Sequence, residues 1–142
     1  MKTVFFKNKF PITRKRLDLL IKKARLSKMG HARLCFHRNR LSNIQQMLIC
    51  TTKRSIFYLH KHDGQFKSYV ILLGKLKFIQ LNRQKTLVRF LSSQQTNFIH
   101  VFDPKNWHTV KTVSDYALFV ETRNGPYVKS KIFWKSINFK RI

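Results

Sequence analysis

The stretch YLHKHDGQFKSYVILLG (58–74) sets two histidines one residue apart, then runs through strand-forming residues to a glycine. In an extended chain, residues two apart project to the same face. His60 and His62 therefore point the same way, together with Tyr58 and Ile56. Two imidazoles on one sheet wall, joined by a third from a distant strand, can hold a divalent cation and leave coordination positions open. The plain alternative is a polar pair on a partly exposed strand. With six histidines in 142 residues, a chance H-x-H is no surprise.

Outward from this segment the chain reads as short strands. ARLCF (32–36), QMLIC (46–50), SIFYLH (55–60) and SYVILLGKLKFIQL (68–81) are followed by TLVRFL (86–91), NFIHVF (97–102), HTVKTV (108–113) and YALFVET (116–122). The turn signals HDG, NRQ, SSQQ, DPKN, SD and RNGP separate them. Eight strands at near-regular spacing predict a mainly β protein, an antiparallel sandwich or small barrel. One helix precedes them. Leu17, Leu20, Ile21 and Ala24 make a single apolar stripe at helical spacing, with Thr13 placed to cap it and Gly30 to end it. Its other face carries Arg14, Lys15, Lys22, Lys23 and Arg25. The expected layout is an N-terminal segment and helix over 1–30, packed on a β domain over 31–142.

Thirty Lys plus Arg against five Asp plus Glu give a net charge of +25, and Glu121 is the one glutamate. A codon bias toward Lys, Asn, Ile and Phe would also enrich Glu, so the loss of acids has another cause. An anionic partner is the natural one: nucleic acid, acidic lipid or a phosphorylated small molecule. Hydrophobic residues at 43% and thirteen Phe supply a real core and argue against disorder. Cys35 and Cys50 lie in apolar runs and read as buried free thiols. MKTVFF begins like a signal peptide, but Lys7 and Lys9 interrupt it, and no run reaches the ~20 apolar residues of a membrane span. The expectation is a soluble cytoplasmic protein, free or resting on the inner membrane face. No Gly-rich phosphate loop, Ser–His–Asp order or zinc-finger spacing is present.

Four residues separate His62 from Lys67, six separate Lys67 from Gly74, and DPKNWHTV supplies His108 further on. That arrangement resembles the cupins, whose first motif runs H-x-H, three or four residues, Glu, six residues, Gly, and whose second adds a His after a Pro-containing turn. HARLCFH (31–37), IQQMLI (44–49), YLHKH (58–62), YVILLGKL (69–76), NWHTV (106–110) and FVETRNGPY (119–127) stand in the order seen in one branch. That branch is the WbuC-type cupin-fold metalloproteins found beside bacterial surface-polysaccharide genes. The resemblance implies a single cupin β-barrel or jelly roll and a metal held by His60, His62 and His108. It further implies work on a sugar or nucleotide-sugar in O-antigen or capsule assembly, and a homodimer. Zinc, iron, nickel or manganese would suit three imidazoles.

One departure stands out. Lys67 occupies the place of the motif glutamate. A protonated ammonium offers no lone pair and repels a dication. Either Lys67 turns outward, or it is deprotonated, or no metal binds; it can also stand in for the ion and grip a phosphate directly. Arg33, His37 and Trp107 are further candidates to touch a ligand. If the protein is an enzyme of the sugar isomerase or epimerase kind, Lys67, Glu121 and Tyr58 are the candidate proton-moving groups. The competing reading is a non-catalytic basic cupin that binds nucleic acid or another polyanion, although no recognition motif for nucleic acid appears. A cupin that senses sugar without turning it over is a third.

Overall fold

The computed structural model describes residues 3–5, 11–83 and 85–136. Helix α1 spans Arg14–Leu26; Thr13 caps it by accepting a hydrogen bond from the Arg16 N–H at 3.4 Å. The helix stops at Ser27, three residues before the expected glycine. Gly30 instead takes φ +71° on the way into the first long strand.

The strands are β1 (Thr3–Phe5), β2 (His31–Cys35), β3 (Ile44–Thr52), β4 (Leu59–His62), β5 (Lys67–Leu73), β6 (Lys75–Leu81), β7 (Thr86–Ser92), β8 (Ile99–Phe102), β9 (Trp107–Thr112), β10 (Tyr116–Asn124) and β11 (Ile132–Lys135). They build two sheets, ordered β1-β2-β3-β10-β5-β8 and β11-β4-β9-β6-β7. Every pairing is antiparallel except β1 with β2. The mainly β sandwich behind one helix is as the sequence predicts. A closed barrel is not: among the described residues each sheet keeps two free edges, so the two stack face to face.

Gly74 is the point where the chain changes sheets. The run read as one strand over 68–81 is β5 of the first sheet and β6 of the second. Gly74 makes the break at φ +80°, and a Cβ there would sit 2.3 Å from the Tyr116 carbonyl oxygen.

Alternation sorts the rest. Between the sheets lies an aromatic core of Tyr69, Phe78, Phe102 and Phe119 with Ile71, Leu76, Leu91 and Val110. On the outer face of the six-stranded sheet, Leu20, Ile21 and Ala24 of α1 pack against Ala32, Leu48, Cys50 and Leu118. Cys35 and Cys50 are buried free thiols, and burial pushes the Cys50 thiol up to about 12. No described helix is long and apolar enough to cross a membrane.

Candidate metal centre and ligand cavity

The cross-strand register assembles the site. In the five-stranded sheet, His60 of β4 lies directly opposite His108 of β9 on one side and Trp134 of β11 on the other. His62, two residues along β4, shares the inner face. The ligand nitrogens of His60, His62 and His108 all lie within 4.8 Å of one another. The structure thus brings together the three imidazoles singled out from two separate segments.

Their hydrogen bonds define which nitrogen is free. The Nδ1 atoms of His60, His62 and His108 face the carbonyl oxygens of Tyr58 (3.2 Å), Asp63 (3.2 Å) and Asn106 (2.8 Å). A carbonyl only accepts, so each Nδ1 carries the proton and each Nε2 keeps a lone pair. His62 Nε2 and His108 Nε2 are buried without a partner. Backbone carbonyls that fix the tautomer this way are the usual outer support of metal-bound imidazoles. Burial, followed by the field of Lys67, pulls His60 down to about 3 and His62 to about 4. The same causes hold His108 far below its ordinary value. All three rings are neutral at neutral pH, as ligands must be.

The facing sheet supplies charge. Its inner face carries Lys67, Glu121, Arg123 and Arg33, with Arg123 directly opposite Lys67 in register. Lys67 is only 3% exposed and turns inward, which overturns the outward expectation; a cation at the triad binds against the lysine's charge, at a cost in affinity, or beside its neutral amine. Its Nζ is 3.3 Å from Glu121 Oε2 and 3.4 Å from His60 Nε2. Burial lowers Lys67 further than Glu121 restores it. Burial also pushes the Glu121 carboxyl up, but Lys67 and then Arg123 more than offset this and hold it below its ordinary value. Arg123 donates to Gln45 Oε1 at 3.0 Å, and its Nε has no partner.

These groups share a cavity of about 560 Å³ walled by Phe57, Tyr69, Tyr127 and Trp134. Arg33, Lys67 and Glu121 line it, and Tyr58 stands on its wall, nearly half exposed and just outside β4. Two candidates are misplaced. Trp107 neighbours His108 on one strand and so takes the opposite face, where Lys61 Nζ sits 5.2 Å from its ring centre. His37 lies beyond the end of β2, and its Nδ1 meets the Gln46 carbonyl outside the cavity wall. His100, on edge strand β8, packs edge-on against Phe78 at 4.3 Å. Arg123, Tyr127 and Trp134 were not anticipated. For Arg123 the signal was available, two residues beyond Glu121 on the same strand face.

A family profile described as a domain of unknown function, DUF6016, matches residues 12–91, more than half the chain. The chain belongs to the DUF6016 family. The match runs from α1 to β7; it includes His60, His62 and Lys67 and stops short of His108, Glu121 and Arg123. A search of curated proteins finds no match. Among solved structures, protein SO0799 from Shewanella oneidensis superposes with a TM-score of 0.68 at 9% identity, over 84% of each chain. Oxalate oxidase in complex with the substrate analogue glycolate gives 0.59 at 14% identity, over 77% of this chain and 57% of that one. A variant of Bacillus subtilis oxalate decarboxylase gives 0.55 at 13% identity, and this chain spans only 24% of its length. These neighbours are cupin-fold proteins, and at such identities they establish the fold alone.

Proposed function

We propose that this DUF6016 protein binds a divalent cation through His60, His62 and His108. In the cavity beside the ion it receives a sugar phosphate or nucleotide-sugar, in the assembly of surface polysaccharide. The observation that carries the metal reading is the convergence of three neutral imidazoles whose Nδ1 protons are tied to backbone carbonyls, leaving two buried Nε2 atoms unpartnered. A buried acceptor without a partner costs ~1–3 kcal/mol, so a cation there answers a real deficit. The bound ion would act as a Lewis acid on a ligand oxygen. The aromatic walls at Tyr127 and Trp134 suit the faces of a sugar or base. Lys67, 3.4 Å from His60 Nε2, and Glu121 behind it at 3.3 Å would hold and pass a proton.

The test is elemental analysis of protein purified at neutral pH without added chelator. Bound zinc, iron, nickel or manganese should appear in the wild type and vanish in His60→Ala and His108→Ala. Wild type that stays metal-free after incubation with each ion and dialysis would end the proposal.

A polyanion-binding role rests on a different observation, the net charge of +25 carried by thirty Lys plus Arg. Oligonucleotide binding whose affinity falls steeply with salt would support that role.

A further inference from the structure

The charges on the inner face of the six-stranded sheet do not balance. Lys67 and Glu121 answer each other at 3.3 Å. The other four carboxylate side chains are far from being available: Asp18 pairs with Arg14, Asp115 with Lys53, and Asp63 and Asp103 lie outside the residues lining the cavity. Among the described residues, Arg33 and Arg123 therefore stand on the cavity wall with no carboxylate within ion-pair distance. Their Nε atoms are both buried with no hydrogen-bond partner. Arg123 is itself only 8% exposed. The partners they do have are weak or neutral: Met47 Sδ at 3.8 Å for Arg33, and for Arg123 Gln45 Oε1 at 3.0 Å and the Tyr127 ring, whose centre lies 5.2 Å from the guanidinium carbon.

Guanidinium groups keep their charge inside proteins, and an uncompensated buried charge is among the costliest features a fold can carry. Both groups act on Glu121, so they lie in one electrostatic neighbourhood with it. Gln45 in turn donates to the Arg40 carbonyl oxygen at 2.8 Å, which anchors the amide that orients Arg123. The Arg123 fork is thus held ready rather than left loose.

We propose that Arg33 and Arg123 form a phosphate clamp, which takes the phosphate of an organic phosphate ester whose body fills the rest of the cavity. The proposal deepens the metal-and-sugar reading, since it shares that cavity, but it makes no use of the metal. Two unanswered positive charges match a phosphate carrying about −1.5 to −2 near neutrality better than a singly charged carboxylate. The guanidinium fork suits two phosphate oxygens at once. A phosphate alone would fill only a small part of about 560 Å³. The remaining space, between Phe57, Tyr127 and Trp134, is left to an apolar or ring-bearing body.

The test is calorimetric titration of inorganic phosphate into full-length, chelator-treated protein in about 0.3 M sodium chloride, where exposed charges are largely screened. One saturable site per chain is expected. Arg33→Gln and Arg123→Gln should each weaken it at least about tenfold, or ~1.4 kcal/mol. Lys22→Gln, exposed on the helix, should leave it unchanged, and acetate should not compete. Arg33 is the less buried of the two, so its variant keeps the test informative should Arg123→Gln not fold. Absence of saturable binding in the wild type overturns the clamp, as does unchanged affinity in both arginine variants or displacement by acetate at equal concentration. His108→Ala separates the two readings: it should abolish zinc binding and leave phosphate binding in place. Zinc failure with phosphate success would sink the metal reading and keep the clamp.

Discussion

Removing the Lys67 ammonium should tighten metal binding. Lys67 Nζ lies 3.4 Å from His60 Nε2, and a metal-to-imidazole bond is about 2.1 Å. The ammonium therefore lies no more than about 5.5 Å from any dication bound at His60. At that limit a +1/+2 repulsion is about 1.5 kcal/mol even with the screening of bulk water, and about 6 kcal/mol at an effective dielectric near 20. Lys67→Gln should accordingly raise zinc affinity at least about tenfold, and Lys67→Glu should raise it further by restoring an anionic oxygen beside the three nitrogens. A competition titration against a chromophoric zinc chelator measures both, with His108→Ala as the control that must not bind. Unchanged affinity in Lys67→Gln would show that the ammonium is not felt at the triad. Weaker binding would show that Lys67 loses its proton and serves as a ligand itself. Either result would refute the reasoning.

Other outcomes follow from the same geometry. Glu121→Gln strips the Lys67 ammonium of its buried partner and should cost on the order of 3 kcal/mol, read as a fall in the thermal midpoint; adding Lys67→Met should restore most of it. The pH dependence has a definite sign. His60 and His62 are held at about 3 and about 4 in the fold against an ordinary 6.5, so the unfolded chain binds more protons below 6.5. Metal-free protein should therefore keep its full stability above pH 6.5 and lose it as pH falls toward 4; denaturant midpoints that rise over this range would contradict it. Gly74→Ala forces a side chain into φ +80° with its Cβ 2.3 Å from the Tyr116 carbonyl, and should lower the unfolding free energy by more than about 1 kcal/mol.

Parity along a strand explains what the sequence revealed and what it hid. The His60–His62 pair was legible because a period of two is local, whereas His108 was singled out only through the resemblance, whose second motif sets a His after a Pro-containing turn. Applied to Trp107, the same rule would have turned it away from the cavity, since it adjoins His108. Applied forward from Glu121, it would have found Arg123. The change of sheet at Gly74 was hidden because strand-forming residues resume directly after it with the same alternation, and the backbone sign at the glycine, not hydrophobicity, makes that break. Strand β11 escaped notice because its four residues sit among lysines and owe their extension to pairing with β4, a long-range contact. The inward turn of Lys67 could not be read from spacing alone: the pattern placed the residue on the correct face, but only its contacts with Glu121 and His60 reveal what keeps a cation in the interior.

The triad hangs from one sheet and the Lys67–Glu121 pair from the other, so neither layer owns the centre. The aromatic slab between them works as a spacer of fixed thickness. Thinning it at Phe78, which opposes Val110 in register and not a ligand histidine, would let the layers settle toward each other and change how hard the ammonium presses on the imidazoles. In this molecule the grip on a cation is set partly by the gauge of its filling.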